Sequence, residues 1–322
     1  MNRLCYIVFA LLCCLTSCRE EQFTDDPTCR LAFSMDTVRF DTVFTTVGSA
    51  TMQLMVRNPN ANALRISRIW LDNGKYFHVN IDGENDSSYF HNVEIRGGDS
   101  LYVFLNLYID PQASDAPVLV EDAMHFLVNE KVQTVHLEAY GQNVNKIKSA
   151  SHVSVFDHYT FTAERPYLIY DTLIIKDSLT MKAGARLYFH LGAAIYVEGN
   201  VSAQGTLAEP VTLRGDRLDN LFDSVPYRYA AGQWGGVYLV PSAEKQNISY
   251  RCDYVDILSG NVGIYCSNQN LMSLPRFVVH NSCIHNQALY GLVLQNVDAE
   301  VVNTEISNCA SYCVYLSGGE QR

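Results

Sequence analysis

The sequence predicts an all-β chain in two parts, a β-sandwich followed by a coil of stacked parallel strands. Three observations predict it. Residues 30–143 alternate apolar and polar side chains in short segments between turn residues, as strands with one buried face require. Residues 166–322 carry short apolar runs that recur with Gly and Asn between them, the mark of a repeat architecture. At 322 residues the chain also exceeds the length at which one core usually keeps growing, so two domains are the default.

The first element belongs to neither fold. In MNRLCYIVFALLCCLTSC, Arg3 gives a short basic start, Leu4–Leu15 is a twelve-residue apolar run, and Leu15, Thr16 and Ser17 lead into Cys18. A run of this length suits the apolar region of a secretory signal, about 7 to 15 residues, and falls short of the ~20 that cross a bilayer. The string resembles a bacterial lipoprotein signal peptide, which implies that residues 1–17 are removed and that Cys18 carries the lipid. Residues 18–29, with Arg19, Glu20, Glu21, Asp25 and Asp26, read as an acidic tether that stays solvated. An acidic patch behind the lipid Cys resembles that of lipoproteins of Bacteroides-type bacteria. That resemblance implies a place in the outer membrane, held by the lipid and facing the cell exterior, with the periplasmic face as the alternative.

Residues 30–143 supply the sandwich. FSMDTVRFDTVF, ATMQLMVRN, ALRISRIWL, SLYVFLNLYI, AMHFLV and TVHLEAYGQ alternate as strands, and Asn58-Pro59-Asn60, Asp72-Asn73-Gly74, Asp82-Gly83 and Gly97-Gly98-Asp99 are turns between them. About seven strands in ~110 residues is the size of an immunoglobulin-like sandwich. VRNPNANALRISRIWL, IRGGDSLYVFL and VHLEAYGQ resemble the ASH-like or DUF1573-like modules of bacterial surface proteins. The resemblance implies a spacer or docking module without chemistry of its own. His78, His91, His125 and His136 stand singly and read as surface or capping imidazoles.

After a polar join at 144–165, the linker and entry, residues 166–322 read as the coil. Asn281 aligns with Asn303, Ile284 with Ile306, Asn286 with Asn308, Tyr290 with Tyr312 and Leu294 with Leu316, a constant offset of 22 residues. Three short strands and three turns fit that length, one turn of a right-handed parallel β-helix. Strands ~4.8 Å apart stack like on like. Three inward columns are expected: Val255, Ile284, Ile306; Ile264, Leu292, Val314; and Cys266, Leu294, Leu316. Val293, one residue from Leu294, should face outward, and Asn286 over Asn308 should form an amide ladder at a turn.

MKAGARLYFHLGAAIYVEGNVSAQGTLAEPVTLRGDR followed by GQWGGVYL resembles the first coils of right-handed β-helix lipoproteins of Bacteroides-type bacteria, in the pectin-lyase-like superfamily. The resemblance spans 166–322. It departs from the pattern at Ser317–Arg322, where the chain stops after a repeat strand with no polar capping coil. An open end exposes a strand edge, so the expectation is a fragment of a longer chain or an end covered by a partner.

Charge and cysteine content narrow the functions. Lys and Arg number 23 against 34 Asp and Glu, without a basic run, which argues against nucleic acid and polyanionic ligands. Beyond the signal and Cys18, six cysteines remain: Cys29, Cys252, Cys266, Cys283, Cys309 and Cys313. They pair in fifteen possible ways, and none is spaced Cys-x-x-Cys. Cys266 reads as a core side chain. No metal or cofactor is implied, since His280 and His285 lack a recognisable third ligand.

Catalysis finds little support. A glycosidase needs two carboxyls at matched or next-but-one positions on stacked coils, and the alignment, with Asp253 beside Ser282 and Glu305 beside Cys283, stacks no acid on an acid. Arg276 and Asp298 share a column as a lone pair. With a one-residue slip, Asp256, His285 and Ser307 share an outward column, a triad composition. The nucleophile turn and oxyanion hole of a triad are missing, and the reading favours a solvated face. The affirmative feature is aromatic: Tyr265, Tyr315 and Trp234 are the binding candidates, since such rings suit wet interfaces and sugar rings.

The expectation is therefore a lipid-anchored envelope protein that presents its β-helix as a binding or adhesion surface for glycan or a surface protein. Two alternatives stay open, a polysaccharide lyase or hydrolase with catalytic coils beyond Arg322 and a purely structural spacer. Cys18→Ala should release the protein from the membrane fraction or leave it unprocessed, because a lipid anchor needs its acyl chains for stable attachment. A variant that stays with salt-washed membranes as the parent does contradicts the anchor.

Overall fold

The computed structural model describes residues 22–86, 89–222, 224–242, 244–269 and 273–319. Residues 1–17 and Cys18 lie outside the described residues. Among those described the chain is all-β: thirty strands and a single 3-10 turn at Tyr227–Tyr229. It divides into two compact units, residues to Asp110 with Leu119–Tyr140, and Pro111–Val118 with Gly141 onward.

The first unit has two five-stranded sheets. One runs, in spatial order, Ala32–Phe33, Met52–Arg57, Ser100–Leu107, Phe77–Ile81 and Glu84–Asp86, with every neighbouring pair antiparallel. The other runs Thr37–Phe44, Lys131–Gln142, Val118–Val128, Leu64–Leu71 and Tyr89–Ile95. Strict alternation in SLYVFLNL puts Leu101, Val103, Leu105 and Leu107 into the same core as Ile66, Ile69, Phe126 and Leu137 from the other sheet. Phe77–Ile81, Glu84–Asp86 and Tyr89–Ile95 were not read as strands from the sequence, because histidines and Asn residues blur their alternation. Asn58, fully buried, explains one predicted turn: its Nδ2 donates to the carbonyls of Asn62, Ile95 and Arg96, and its Oδ1 accepts from the Asn60 amide.

Apart from the short antiparallel pair Asn220–Phe222 and Val225–Pro226, the second unit is built of parallel strands. Asn145–Ile147, Tyr167–Ile169, Arg186–Phe189, Val211–Gly215, Val255–Leu258, Cys283–Gln287 and Glu305–Cys309 form a seven-stranded sheet in that order. An eleven-stranded sheet curls about the long strand Thr172–Lys182. Its Leu173–Ile175 half pairs with Ala194–Val197 and its Ser178–Lys182 half with Asn200–Gln204. The first half leads on to Gly236–Leu239, Val262–Ser267, Tyr290–Gln295 and Tyr312–Ser317, and the second to Ser249–Asp253, Arg276–His280 and Asp298–Val302. The chain visits the seven-stranded sheet and these two wings in rotation. Parallel strands need a long return connection, and here two other strands of the unit supply it.

The strands enclose one core. The 22-residue offset holds over the last two passes, where Ile284 pairs with Ile306 and Leu294 with Leu316. The columns Ile264, Leu292, Val314 and Cys266, Leu294, Leu316 form as the sequence indicates. The third column is corrected: Ile257, not Val255, stacks on Ile284. The offset is 28 from Cys266 to Leu294 but 27 from Ile257 to Ile284, since the turn between those strands is one residue shorter in the earlier pass. Residues 144–165, read as linker, hold the strands Asn145–Ile147 and Val153–Phe161. Their partners are parallel strands of the second unit, and their alternation is hidden because Val153 and Val155 are exposed.

Val293 departs from expectation too. It shares a column with Tyr265 and Tyr315 on the far side of the sheet from the core, yet is only 3% exposed between those two larger side chains. Both Leu294→Asp and Val293→Asp should therefore destabilise, each by roughly 3 kcal/mol or more, because either places an unpaired carboxylate out of water. Lys182→Asp, on an exposed strand end, is the matched control and should melt near the parent. A Val293→Asp variant as stable as that control contradicts the packing.

Candidate functional site

An open groove of about 740 Å³ lies in the second unit, at the corner where the second wing turns into the seven-stranded sheet. Asp256, Cys283 and Glu305 line it from three consecutive strands, in register as one column. Beside them run the turn residues Tyr254, Asn281 and Asn303, all with left-handed backbones (φ 50°, 52° and 49°), a conformation Asn adopts more readily than most residues. The turn is rigid. Asn303 Nδ2 donates to Asn281 Oδ1 at 2.6 Å, and buried Ser282 donates to the His280 carbonyl and accepts from the Val255 amide. The loop Thr206–Pro210 forms the other wall. Its Thr206 amide donates to the Glu209 carbonyl, and the Glu209 amide donates to Thr206 Oγ1.

In this column no acid stacks directly on an acid, as the sequence indicates, but two acids fall at next-but-one positions, a placement the sequence alignment did not find. Asp256 and Glu305 occupy next-but-one positions with Cys283 between them, so their backbones are roughly 10 Å apart, two strand spacings. Burial pushes the Asp256 carboxyl above the usual carboxylate range, against the opposing pull of His285 and Arg228. Burial likewise raises the Cys283 thiol, with Asp256 and Glu305 adding to it. The sequence placed Glu305 beside Cys283 correctly. It missed Asp256 there for the same reason it misplaced Val255.

The proposed triad column is corrected. His285 pairs with Ser307 as expected, but Asp256 pairs with Cys283, and Leu258 stands in the His285 column. The Ser307 hydroxyl donates to Glu305 Oε1 at 2.8 Å and is committed there. Burial lowers the His285 pKa, with Glu305 opposing that shift. The amide ladder expected at Asn286 is hydrogen-bonded at Asn281 and Asn303 instead, while Asn286, also left-handed, keeps its Nδ2 without a hydrogen-bond partner among the described residues.

On the second wing, Arg276 and Asp298 do share a column, but not as a lone pair. Arg276 also meets Glu300 Oε2, Glu300 Oε1 meets His280 Nε2 at 2.9 Å, and His280 Nδ1 lies 3.6 Å from Asp253. Among the described residues no group of three or more His, Cys, Asp or Glu is placed to hold a metal ion.

The aromatic candidates separate. Trp234 is fully buried, stacked on Phe189 at 4.1 Å with its Nε1 donating to the Leu258 carbonyl, so it is a core side chain and not a binding residue. Tyr265 ends a stripe in which Tyr196 and Tyr238 stack face to face at 4.7 Å. Rings stacked in this way spend their faces on each other. Tyr265 is half-buried and donates to Gln295, whereas Tyr315 is exposed beside Tyr312.

No family model matches the chain, and no curated protein matches it. Among solved structures it is similar to a protein of unknown function from Porphyromonas gingivalis W83 (15% identity, TM-score 0.27, 39% of this chain and 50% of that one). It is similar also to a family 123 glycoside hydrolase from Clostridium perfringens (10% identity, TM-score 0.25, 35% and 26%) and to the periplasmic chaperone SfaE (14% identity, TM-score 0.23, 43% and 71%). The matched segment is thus half the length of the first structure and about a quarter of the second. At these TM-scores the likeness carries no argument.

The raised Asp256 pKa has a consequence for stability. A carboxyl raised by folding favours the native state while protonated, and that contribution is lost as pH rises through its folded-state pKa. Asp256→Asn should therefore melt higher than the parent at neutral pH, and the gain should vanish below the ordinary carboxyl range, where both side chains are neutral. A gain of equal size at both pH values contradicts the burial of this carboxyl.

Proposed function

We propose that the chain is a lipid-anchored envelope protein, held in the outer membrane through Cys18, whose immunoglobulin-like, ASH/DUF1573-like sandwich precedes a right-handed parallel β-helix that binds glycan. The rotation of the chain through stacked parallel strands supports the β-helix reading. One observation carries the binding site: an open groove, its turn held by hydrogen bonds, whose lining of carboxylates, hydroxyls and amides, with Leu207, Pro210 and Tyr254, suits a polyhydroxylated chain. Its acids favour neutral or amine-bearing sugars over uronates or sulfated ones. Tyr265 and Tyr315 then form a separate surface.

A second reading has a specific observation behind it. Two acids whose backbones lie roughly 10 Å apart along the column, one with its carboxyl raised by burial, stand within side-chain reach of the ~6.5 to 9.5 Å carboxyl separation of an inverting glycoside hydrolase. Under it Asp256 acts as the acid and Glu305 as the base that activates water.

Affinity electrophoresis in gels holding neutral or amine-bearing polysaccharides separates these readings. Under the binding proposal the parent is retarded without releasing reducing ends, and Asp256→Asn with Glu305→Gln lowers retention about tenfold, while Tyr265→Ala with Tyr315→Ala leaves it intact. Release of reducing ends that Asp256→Asn abolishes selects the hydrolase. Loss of retention only in the tyrosine variant moves the site to that face, and no retention on any polysaccharide rejects glycan binding.

A further inference from the structure

The six cysteines include one pair that the fold brings together. Cys309 ends the strand Glu305–Cys309, and Cys313 sits in the next strand, Tyr312–Ser317, across a short turn. Tyr290 pairs with Tyr312 and Leu292 with Val314, so Gly291 stacks directly against Cys313. A Cβ added to Gly291 would lie 3.0 Å from Cys309 Sγ and 2.5 Å from Ile306 Cγ2. Side chains in one parallel column point the same way, so the Cys313 side chain is aimed into the space that Cys309 Sγ flanks. Glycine at 291 is what leaves room there. Burial pushes the Cys309 thiol up to about 11, with the neighbouring Cys313 adding to it, and Cys309 Sγ meets the Ser307 carbonyl at 3.3 Å.

The remaining cysteines are differently placed. Cys252 and Cys266 are buried in the core, and burial pushes both thiols up to about 12. Cys283 lies in the groove in register with Asp256 and Glu305, one strand away and on another column. Cys309 and Cys313 are both half-exposed, open to a reagent from solvent.

We propose that Cys309 and Cys313 form a disulfide that clips the strands Glu305–Cys309 and Tyr312–Ser317 together across their turn, closing by exchange with a disulfide oxidant. With oxidised glutathione, one cysteine thiolate attacks a glutathione sulfur, forming a mixed disulfide and releasing one glutathione thiolate. The second cysteine thiolate attacks the protein sulfur of that mixed disulfide, the bond between Cys309 and Cys313 forms, and the second glutathione leaves. The cysteines lose two protons and two electrons, and both glutathione halves end as thiols. An exported protein meets such oxidants in its own compartment. The proposal stands on the geometry of the pair and not on the glycan reading.

Incubating the full chain with oxidised glutathione, then denaturing and alkylating without reductant, tests it. Trypsin releases the segment after Arg276 as one fragment, which carries Cys283, Cys309 and Cys313. The expected product holds a single alkyl group, on Cys283, and holds three after reduction. Cys309→Ser should trap glutathione on Cys313, and Cys313→Ser should trap it on Cys309, since neither variant has the second thiol to resolve it. Three alkyl groups on the unreduced parent fragment, or a crosslink that includes Cys283, would overturn the proposal.

Discussion

Everything in the second unit follows from parallel strands held in register, so that each side chain lies over its equivalent on the next pass. Ile257, Ile284 and Ile306 stack, as do Cys266, Leu294 and Leu316, and the core is a set of such columns. A pass of 22 residues leaves little length for turns. The chain manages these with left-handed asparagines at 281, 286, 303 and 308, where a β-branched residue would be strained. Gly236 serves the same economy: at φ 125° any Cβ would lie 2.2 Å from the Val262 carbonyl oxygen.

The same register builds the groove. Positions that face away from the core also stack, so Asp256, Cys283 and Glu305 form a line without any loop having to place them. Stacking brings like charges near each other, and the sequence limits this by setting a neutral thiol between the two acids. On the second wing acidic and basic side chains alternate instead. Arg276, Asp298, Glu300, His280 and Asp253 join in a chain of contacts that a single pair could not make. Ion pairs that keep about a third of their side-chain surface exposed contribute little to stability.

Much of this was legible in the sequence. Periodicity at 22 residues located the last two passes, and strand alternation located most of the first unit. The earlier pass was harder to read because a shorter turn near Gly260 and a longer excursion between Ser267 and Arg276 change the offset separately on each face. That is why Asp256 was set against His285 and not Cys283. Burial was misjudged at Trp234 and Val293 for a different reason. A motif or a column tells which way a side chain points, but not what stacks over it, and Phe189 covers the one while Tyr265 and Tyr315 flank the other.

The central claim is that the acidic corner groove, and not the tyrosine face, is where a glycan docks. Amide hydrogen exchange of the full chain, with and without neutral or amine-bearing oligosaccharides, reports on this directly. The account predicts that added sugar slows exchange in segments covering 206–210, 254–256, 281–283 and 303–305, and leaves 196, 238 and 265 unchanged. Slowing confined to the tyrosine face, or none at any sugar concentration, would contradict it.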